Sequence, residues 1–227
     1  MTTIANAAPR IDVERARFNM VEQQIRTWEV LDPVVLDLLL HVHREDYVPE
    51  AHRALAFADL EIPLGHGETM LSPKLEARML QELDVQDGDS ILEIGTGSGY
   101  MTALLASLGR HVYSVDIVPD FTRAAATRLA AHGITNVTLE TGDAARGWDR
   151  HEPYDIIVLT GSVPVLAEGF QNSLKPGGRL LAVVGAAPAM QAQLITRSGG
   201  GACHAVVLFE TCIAPLKNVP QPQRFVF

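Results

Sequence analysis

A chain of 227 residues with a formal net charge of −9 at pH 7 and no basic block offers little to a phosphate backbone, which excludes nucleic acid as a partner. Apolar residues make up 47% of it, enough for a packed core, but no run approaches the roughly 18 apolar residues that cross a bilayer, so no membrane partner is expected. The start, Met1-Thr2-Thr3-Ile4-Ala5-Asn6, lacks the basic-then-apolar order of a signal peptide and sets the expected location as cytoplasmic. The two cysteines, Cys203 and Cys212, form no C-x-x-C and read as free, largely buried thiols; no metal site is expected.

Residues 1 to about 10 carry little pattern and are expected to be loosely attached. From Ile11 to Trp28 the spacing predicts a helix, with Val13, Ala16 and Met20 on one line and Val21, Ile25 and Trp28 on the next. Asp32 as N-cap and Pro33 behind it open a second helix that turns Val35, Leu38, Leu39 and Val42 inward. His41 and His43 lie two apart on or beside that helix and point to different sides, which argues against ligation. The stretch Gly65-His66-Gly67-Glu68-Thr69-Met70-Leu71-Ser72-Pro73 is loop chemistry, placed to fold over a ligand as a lid, and a helix bearing Leu75, Met79 and Leu83 follows.

Ile91 to Ile94 is then a short apolar strand running into Gly95-Thr96-Gly97-Ser98-Gly99, followed by a helix with Met101, Leu104, Leu105 and Leu108 inward. A turn this tight needs backbone angles that a Cβ forbids, and the helix N-terminus behind it presents free N–H groups. A dinucleotide site would read G-x-G-x-x-G, whereas here Tyr100 fills the sixth place and the preceding Glu93 would repel phosphate but tolerate a cation. The cradle therefore suits a cationic, phosphate-free nucleoside.

Val112 to Asp116 is the second strand, and its terminal acid falls 21 residues after Gly95, where a carboxylate meets ribose hydroxyls in a nucleotide-binding βαβ unit. A helix from Pro119 to about Ala131, stopped at Gly133, and a strand from Asn136 to Glu140 lead to Gly142-Asp143-Ala144. Tyr154 to Thr160 is apolar throughout, as a strand covered on both faces should be, so Thr160, Gly161 and Ser162 at its carboxyl end should line the acceptor side. A helix from Leu166 to Leu174, a turn over Lys175-Pro176-Gly177-Gly178, a strand from Arg179 to Val184 and a hairpin of Gln191–Thr196 with His204–Thr211 complete the pattern, and the aromatic end of the tail from Pro220 suggests docking. The predicted fold is α/β: a doubly wound, mostly parallel, seven-stranded Rossmann-like sheet with an N-terminal helical extension and lid over 1–72 and a single compact core over 73–227.

Glu93-Ile94-Gly95-Thr96-Gly97-Ser98-Gly99-Tyr100 resembles the first motif of class I S-adenosylmethionine-dependent methyltransferases, in the wording of the protein-L-isoaspartate O-methyltransferase family. Met20-Val21-Glu22-Gln23-Gln24-Ile25, Arg44-Glu45-Asp46-Tyr47-Val48-Pro49, Ile62-Pro63-Leu64-Gly65 and Gly147-Trp148 resemble that family as well, over residues 18 to about 216. The resemblance implies S-adenosyl-L-methionine as cofactor. It implies contacts from Glu93, Gly95, Thr96, Gly97, Gly99, Asp116, Ile117, Gly142, Asp143, Ala144 and Thr160, with Asp143 accepting from the adenine amino group, and from Met70 and Leu71 in the lid. Thr69 and Ser72 would then stand beside the transferred methyl, the acceptor being an isoaspartyl carboxylate of a protein or peptide, or an unknown small molecule, and the enzyme a monomer or weak homodimer. A carboxylate acceptor is ionised at pH 7 and needs no general base. His66, the nearest candidate base, reads as an exposed loop histidine.

The lid departs from the family's Gly-Gln-Thr-Ile-Ser-x-Pro: Glu68 stands for the glutamine, adding a negative charge near an anionic acceptor, and Leu71 stands for the serine, with Ser72 one residue later. Asp116 likewise takes the place of a usual glutamate, and Gly161-Ser162-Val163-Pro164 departs from the small residues usual there. Two further readings therefore stand beside isoaspartyl methylation: a methyltransferase of this fold with another acceptor, and a cofactor-binding protein without catalysis.

Overall fold

The computed structural model describes residues 12–222. Asp12 caps α1 (Val13–Asn19) by accepting from the Arg15 N–H. The helical path then widens into a π-turn over Met20–Ile25 and tightens over Arg26–Trp28, stopping at Glu29 with φ 61°. Widening brings Met20, Val21 and Ile25 together on the inner face, all fully buried, in place of the two regular α-helical lines that the spacing predicts; Val13 and Trp28 are exposed. Arg17 is buried because it pairs with Glu45. In α2 (Pro33–His41), Asp32 accepts from the Val34 N–H at 2.8 Å and Pro33 takes the first turn, as predicted, but Leu36 joins Val35 and Leu39 inside while Leu38 and Val42 pack at the margin.

The predicted lid loop is a hairpin: β1 (Ile62–Gly65) pairs antiparallel with β2 (Glu68–Met70) through Gly65, His66 and Gly67, all at positive φ. α3 (Pro73–Leu83) follows, and burying Leu75, Met79, Leu80 and Leu83 contributes on the order of 1.5–3 kcal/mol each. These side chains join Met20, Ile25, Leu39 and Leu104 in one apolar cluster, so the N-terminal helices pack on the core.

The remaining chain alternates β3 (Ser90–Ile94), α4 (Tyr100–Leu108), β4 (His111–Asp116), α5 (Pro119–Ala131), β5 (Val137–Thr141), β6 (Tyr154–Leu159), α6 (Glu168–Asn172), β7 (Leu174–Ala186), β8 (Ala189–Arg197) and β9 (Cys203–Thr211). The sheet order is β5-β4-β3-β6-β7-β8-β9; the first five in that order run parallel and β8 runs antiparallel between β7 and β9, which is the predicted doubly wound sheet with its closing hairpin. The chain leaves β3 toward β4 on one side and returns beside β3 as β6, so the strand order reverses there and a crevice opens at the carboxyl ends.

Three details depart from the pattern. The helix expected from Leu166 to Leu174 shrinks to α6, and Lys175–Gly178 lies within β7 as a bulge, since Leu174 pairs with Tyr154 and Arg179 with Ile156. Cys203 is half-buried and Cys212 exposed, because the closing hairpin forms the sheet edge. Val219 is buried, while residues 223–227, on which the docking expectation mainly rests, and residues 1–11 lie outside the described residues.

Candidate active site

β3 ends in the glycine turn. Gly95 has φ 100°, and its N–H donates to the Val115 carbonyl at 2.8 Å. A Cβ there would stand 2.2 Å from the Thr160 hydroxyl oxygen, which is itself held within reach of the Ile94 and Gly95 carbonyls at 2.9 and 2.7 Å. Gly97 has φ 51°, and Gly99, at φ 84°, caps α4. Thr96 and Ser114 share a hydrogen bond of 2.6 Å that ties the turn to β4.

Asp116 closes β4 where the spacing from Gly95 places it. Its two oxygens accept from the N–H groups of Gly97 at 2.9 Å and Val118 at 2.8 Å, and burial raises its pKa despite those bonds. Asp143, beyond β5, accepts from the Ala145 N–H at 3.0 Å and the Asn218 amide at 2.8 Å. Carboxylates thus stand at the tips of two adjacent strands, beside a turn whose backbone is open to a ligand.

One cavity, open to solvent, gathers Thr69, Met70, Leu71, Gly95, Thr96, Gly97, Asp116, Ile117, Gly142, Asp143, Ala144 and Thr160. Three of the residues that the resemblance places at the site stay out of its lining. Glu93 is fully buried behind the turn, where it accepts from the Thr102 hydroxyl. Gly99 packs against Ala125. Ser72 precedes α3 as its N-cap residue, while Leu71 faces the cavity. Ser72 therefore lies outside the lining, whereas Thr69 is part of it, its hydroxyl donating to Glu61 at 2.8 Å. Gly161 reaches the lining but Ser162 is buried and donates to the Ile213 carbonyl.

The strap Ala214–Lys217, which carries no sequence signal, forms the far wall. Lys217 pairs with Glu68 at 2.8 Å and donates to the His66 carbonyl, fastening strap to hairpin and offsetting the charge that Glu68 alone would add. His66 turns its ring to Asp120 at 3.1 Å and does not line the cavity, which removes it as a base. Glu76, also missed in the sequence, reaches the cavity from α3. Among the described residues no group of His, Cys, Asp and Glu could hold a metal.

Burial pushes the Glu93 carboxyl up to about 8, above the opposing hydrogen bonds, and that of Glu76 up to about 7 in spite of Arg44. Carboxyls that hold their protons in the folded state stabilise it most below their unfolded pKa near 4.3, and that stability is lost as pH rises through the folded values. The thermal midpoint of the ligand-free protein should fall between about pH 5 and pH 8, and Glu93→Gln should flatten the fall. A midpoint that stays level in scanning fluorimetry across that range would contradict the assignment.

The cavity fits a nucleoside cation better than a nucleotide. Four carboxyl groups line it, and Lys217 is the only lysine or arginine among its described lining residues, already paired. With glycine turn, strand order and carboxylates in place, the fold and cavity are those of a Rossmann-like, class I methyltransferase. More particularly, the chain belongs to the protein-L-isoaspartate(D-aspartate) O-methyltransferase family, whose model matches residues 15–219.

It is 40% identical over 183 residues to protein-L-isoaspartate O-methyltransferase 1 of Rhodopseudomonas palustris, covering 81% of this chain and 74% of that one. With the Magnetococcus marinus protein-L-isoaspartate O-methyltransferase it shares 37% identity over 203 residues, 89% of each. A Plasmodium falciparum crystal structure assigned to the same enzyme, in complex with S-adenosyl-L-homocysteine, superposes with a TM-score of 0.73 at 20% identity over 90% of this chain and 98% of that one, a likeness of fold.

Proposed function

We propose that this chain transfers a methyl group from S-adenosylmethionine to the side-chain carboxylate of an isoaspartyl residue in damaged protein, working in the cytosol. The observation that carries this reading is the cavity itself: a glycine turn open to a ligand, flanked by Asp116 and Asp143 at successive strand tips and poor in cations, in a chain of this family.

Bound there, the cofactor would supply an electrophilic methyl group on a sulfonium. The chain's own residues bind, orient and exclude water. Asp116, its oxygens fixed by the Gly97 and Val118 N–H groups, would accept from ribose hydroxyls, and Asp143 from the adenine amino group. Met70 and Leu71 cover the cavity with apolar surface, and the acceptor carboxylate, ionised at neutral pH, attacks without a base. The clasp of Lys217 on Glu68 holds this roof down. Lys217→Ala should speed release of S-adenosylhomocysteine a few-fold, the scale of a partly exposed ion pair of about 0.2–1 kcal/mol, and raised salt should mimic it in the wild type alone; stopped-flow release at equal rates in both would contradict the clasp.

The test of the reading is transfer of labelled methyl to an isoaspartyl peptide against its aspartyl twin. Label on the first and not the second supports it. Leu71 in the lining and Ser72 outside it favour a second reading, a methyltransferase with a different acceptor, which a cofactor-binding protein inactive on both peptides would support.

A further inference from the structure

The mechanism leaves one buried charged group in the cavity wall unused. Glu76 stands in the first turn of α3, 3% exposed, and lines the cavity. One of its oxygens accepts from Arg44 Nη1, while Arg44, itself fully buried, also donates to the Ala56 carbonyl at 3.1 Å and the Leu71 carbonyl at 2.6 Å. No hydrogen bond to the second oxygen of Glu76 is formed among the described residues, and the residue lines the cavity. A carboxylate bound on one side and free on the other is a seat for a hydrogen-bond donor.

The topology says which part of a ligand reaches it. Asp143, Asp116 and the glycine turn follow β5, β4 and β3, and α3 lies on the other side of β3, where it packs against β7. A ligand with its nucleoside at Asp116 and Asp143 therefore lays its opposite end against α3. Arg44, beside Glu76, has its guanidinium taken up by Glu76 and two carbonyls, and Glu93 adds a second carboxyl behind the turn. An anionic group is disfavoured beside Glu76, and an ammonium is favoured.

Resting on the cofactor reading above, we propose that Glu76 is the residue that recognises the primary amino group at the amino-acid end of S-adenosylmethionine, its free oxygen accepting from that ammonium. Arg44 holds the carboxylate in place and ties the Leu71 carbonyl to the same guanidinium, so that cofactor seat and lid backbone share one support.

Glu76→Gln is the discriminating variant, since its amide oxygen can still accept from Arg44 while the charge is removed. By titration calorimetry at pH 8, the variant should bind S-adenosylhomocysteine about 10- to 100-fold more weakly than the wild type, the scale of one charge-assisted hydrogen bond. Its affinity for the deaminated analogue, the same thioether nucleoside without the amino group, should change less than about 2-fold. Equal losses on both ligands would mean that Glu76 acts on the architecture through Arg44, and no loss on either would mean that the amino group sits elsewhere; each overturns the proposal. Should the variant fail to fold, the wild type decides alone, by a preference of about 10-fold or more for the homocysteine ligand over its deaminated twin, with equal affinities overturning the proposal. A wild type that binds neither ligand would instead bring down the cofactor reading on which this one rests.

Discussion

Gly95→Ala is expected to abolish cofactor binding while Gly67→Ala, at a comparable positive φ, leaves it nearly intact. Both substitutions put an L side chain into left-handed backbone, at a cost of roughly 1–2 kcal/mol. Their surroundings differ. A Cβ on Gly67 meets nothing within 4 Å, whereas on Gly95 it meets the Thr160 oxygen at 2.2 Å, and that hydroxyl is pinned by the two carbonyls that end β3. The turn must therefore move away from β6, carrying Gly97 off its bond to Asp116. Binding of S-adenosylhomocysteine should weaken at least about 100-fold, near 3 kcal/mol or more. Adding Thr160→Ala, which leaves the nearest remaining side-chain carbon of that residue 3.6 Å away, should restore part of the loss. Gly95→Ala binding within a few-fold of wild type would show that the ligand does not use this turn.

The second large effect is at Asp116. Its carboxylate orders Gly97 and Val118 and faces the cavity, so Asp116→Ala removes both the ligand's partner and the brace of the turn. Hydrogen bonds to a charged group contribute about 1.5–3 kcal/mol each, which sets the expected loss at about 100-fold or more in affinity. Asp143→Ala should cost less, because Ala145 and Asn218 are neighbours that it serves at the edge of the cavity rather than in the turn. Calorimetry that ranks Asp143→Ala above Asp116→Ala would reverse the assigned roles.

Much of this was legible because the physics is local. A strand followed by alternating glycines and an acid 21 residues on are constraints of backbone geometry, whereas Gly142-Asp143 stood out only through the family resemblance; the structure gathers the turn, Asp116 and Asp143 around one cavity. The sheet followed from strands alternating with helices, down to the closing hairpin. What failed depends on contacts distant in sequence. Glu68 reads as a repulsive charge until Lys217, 149 residues later, is folded onto it. Ser72 reads as a stand-in for a hydroxyl, but it lies just before α3 outside the cavity lining, which Leu71 joins instead. Glu93 reads as a ligand contact because its position in the motif is fixed, but the side chain turns behind the turn toward Thr102. The π-turn at Met20–Ile25 has no marker in composition; it is set by the need to bury Met20, Val21 and Ile25 together.

The claim on which the rest depends is that the cavity between the glycine turn, the hairpin and the strap holds S-adenosylmethionine. Titration of the wild-type chain with S-adenosylhomocysteine, followed by heat, tests it most directly. Saturable one-to-one binding that Gly95→Ala removes and Gly67→Ala keeps is the predicted result. Absence of binding to the folded wild type, or binding indifferent to Gly95, would contradict it.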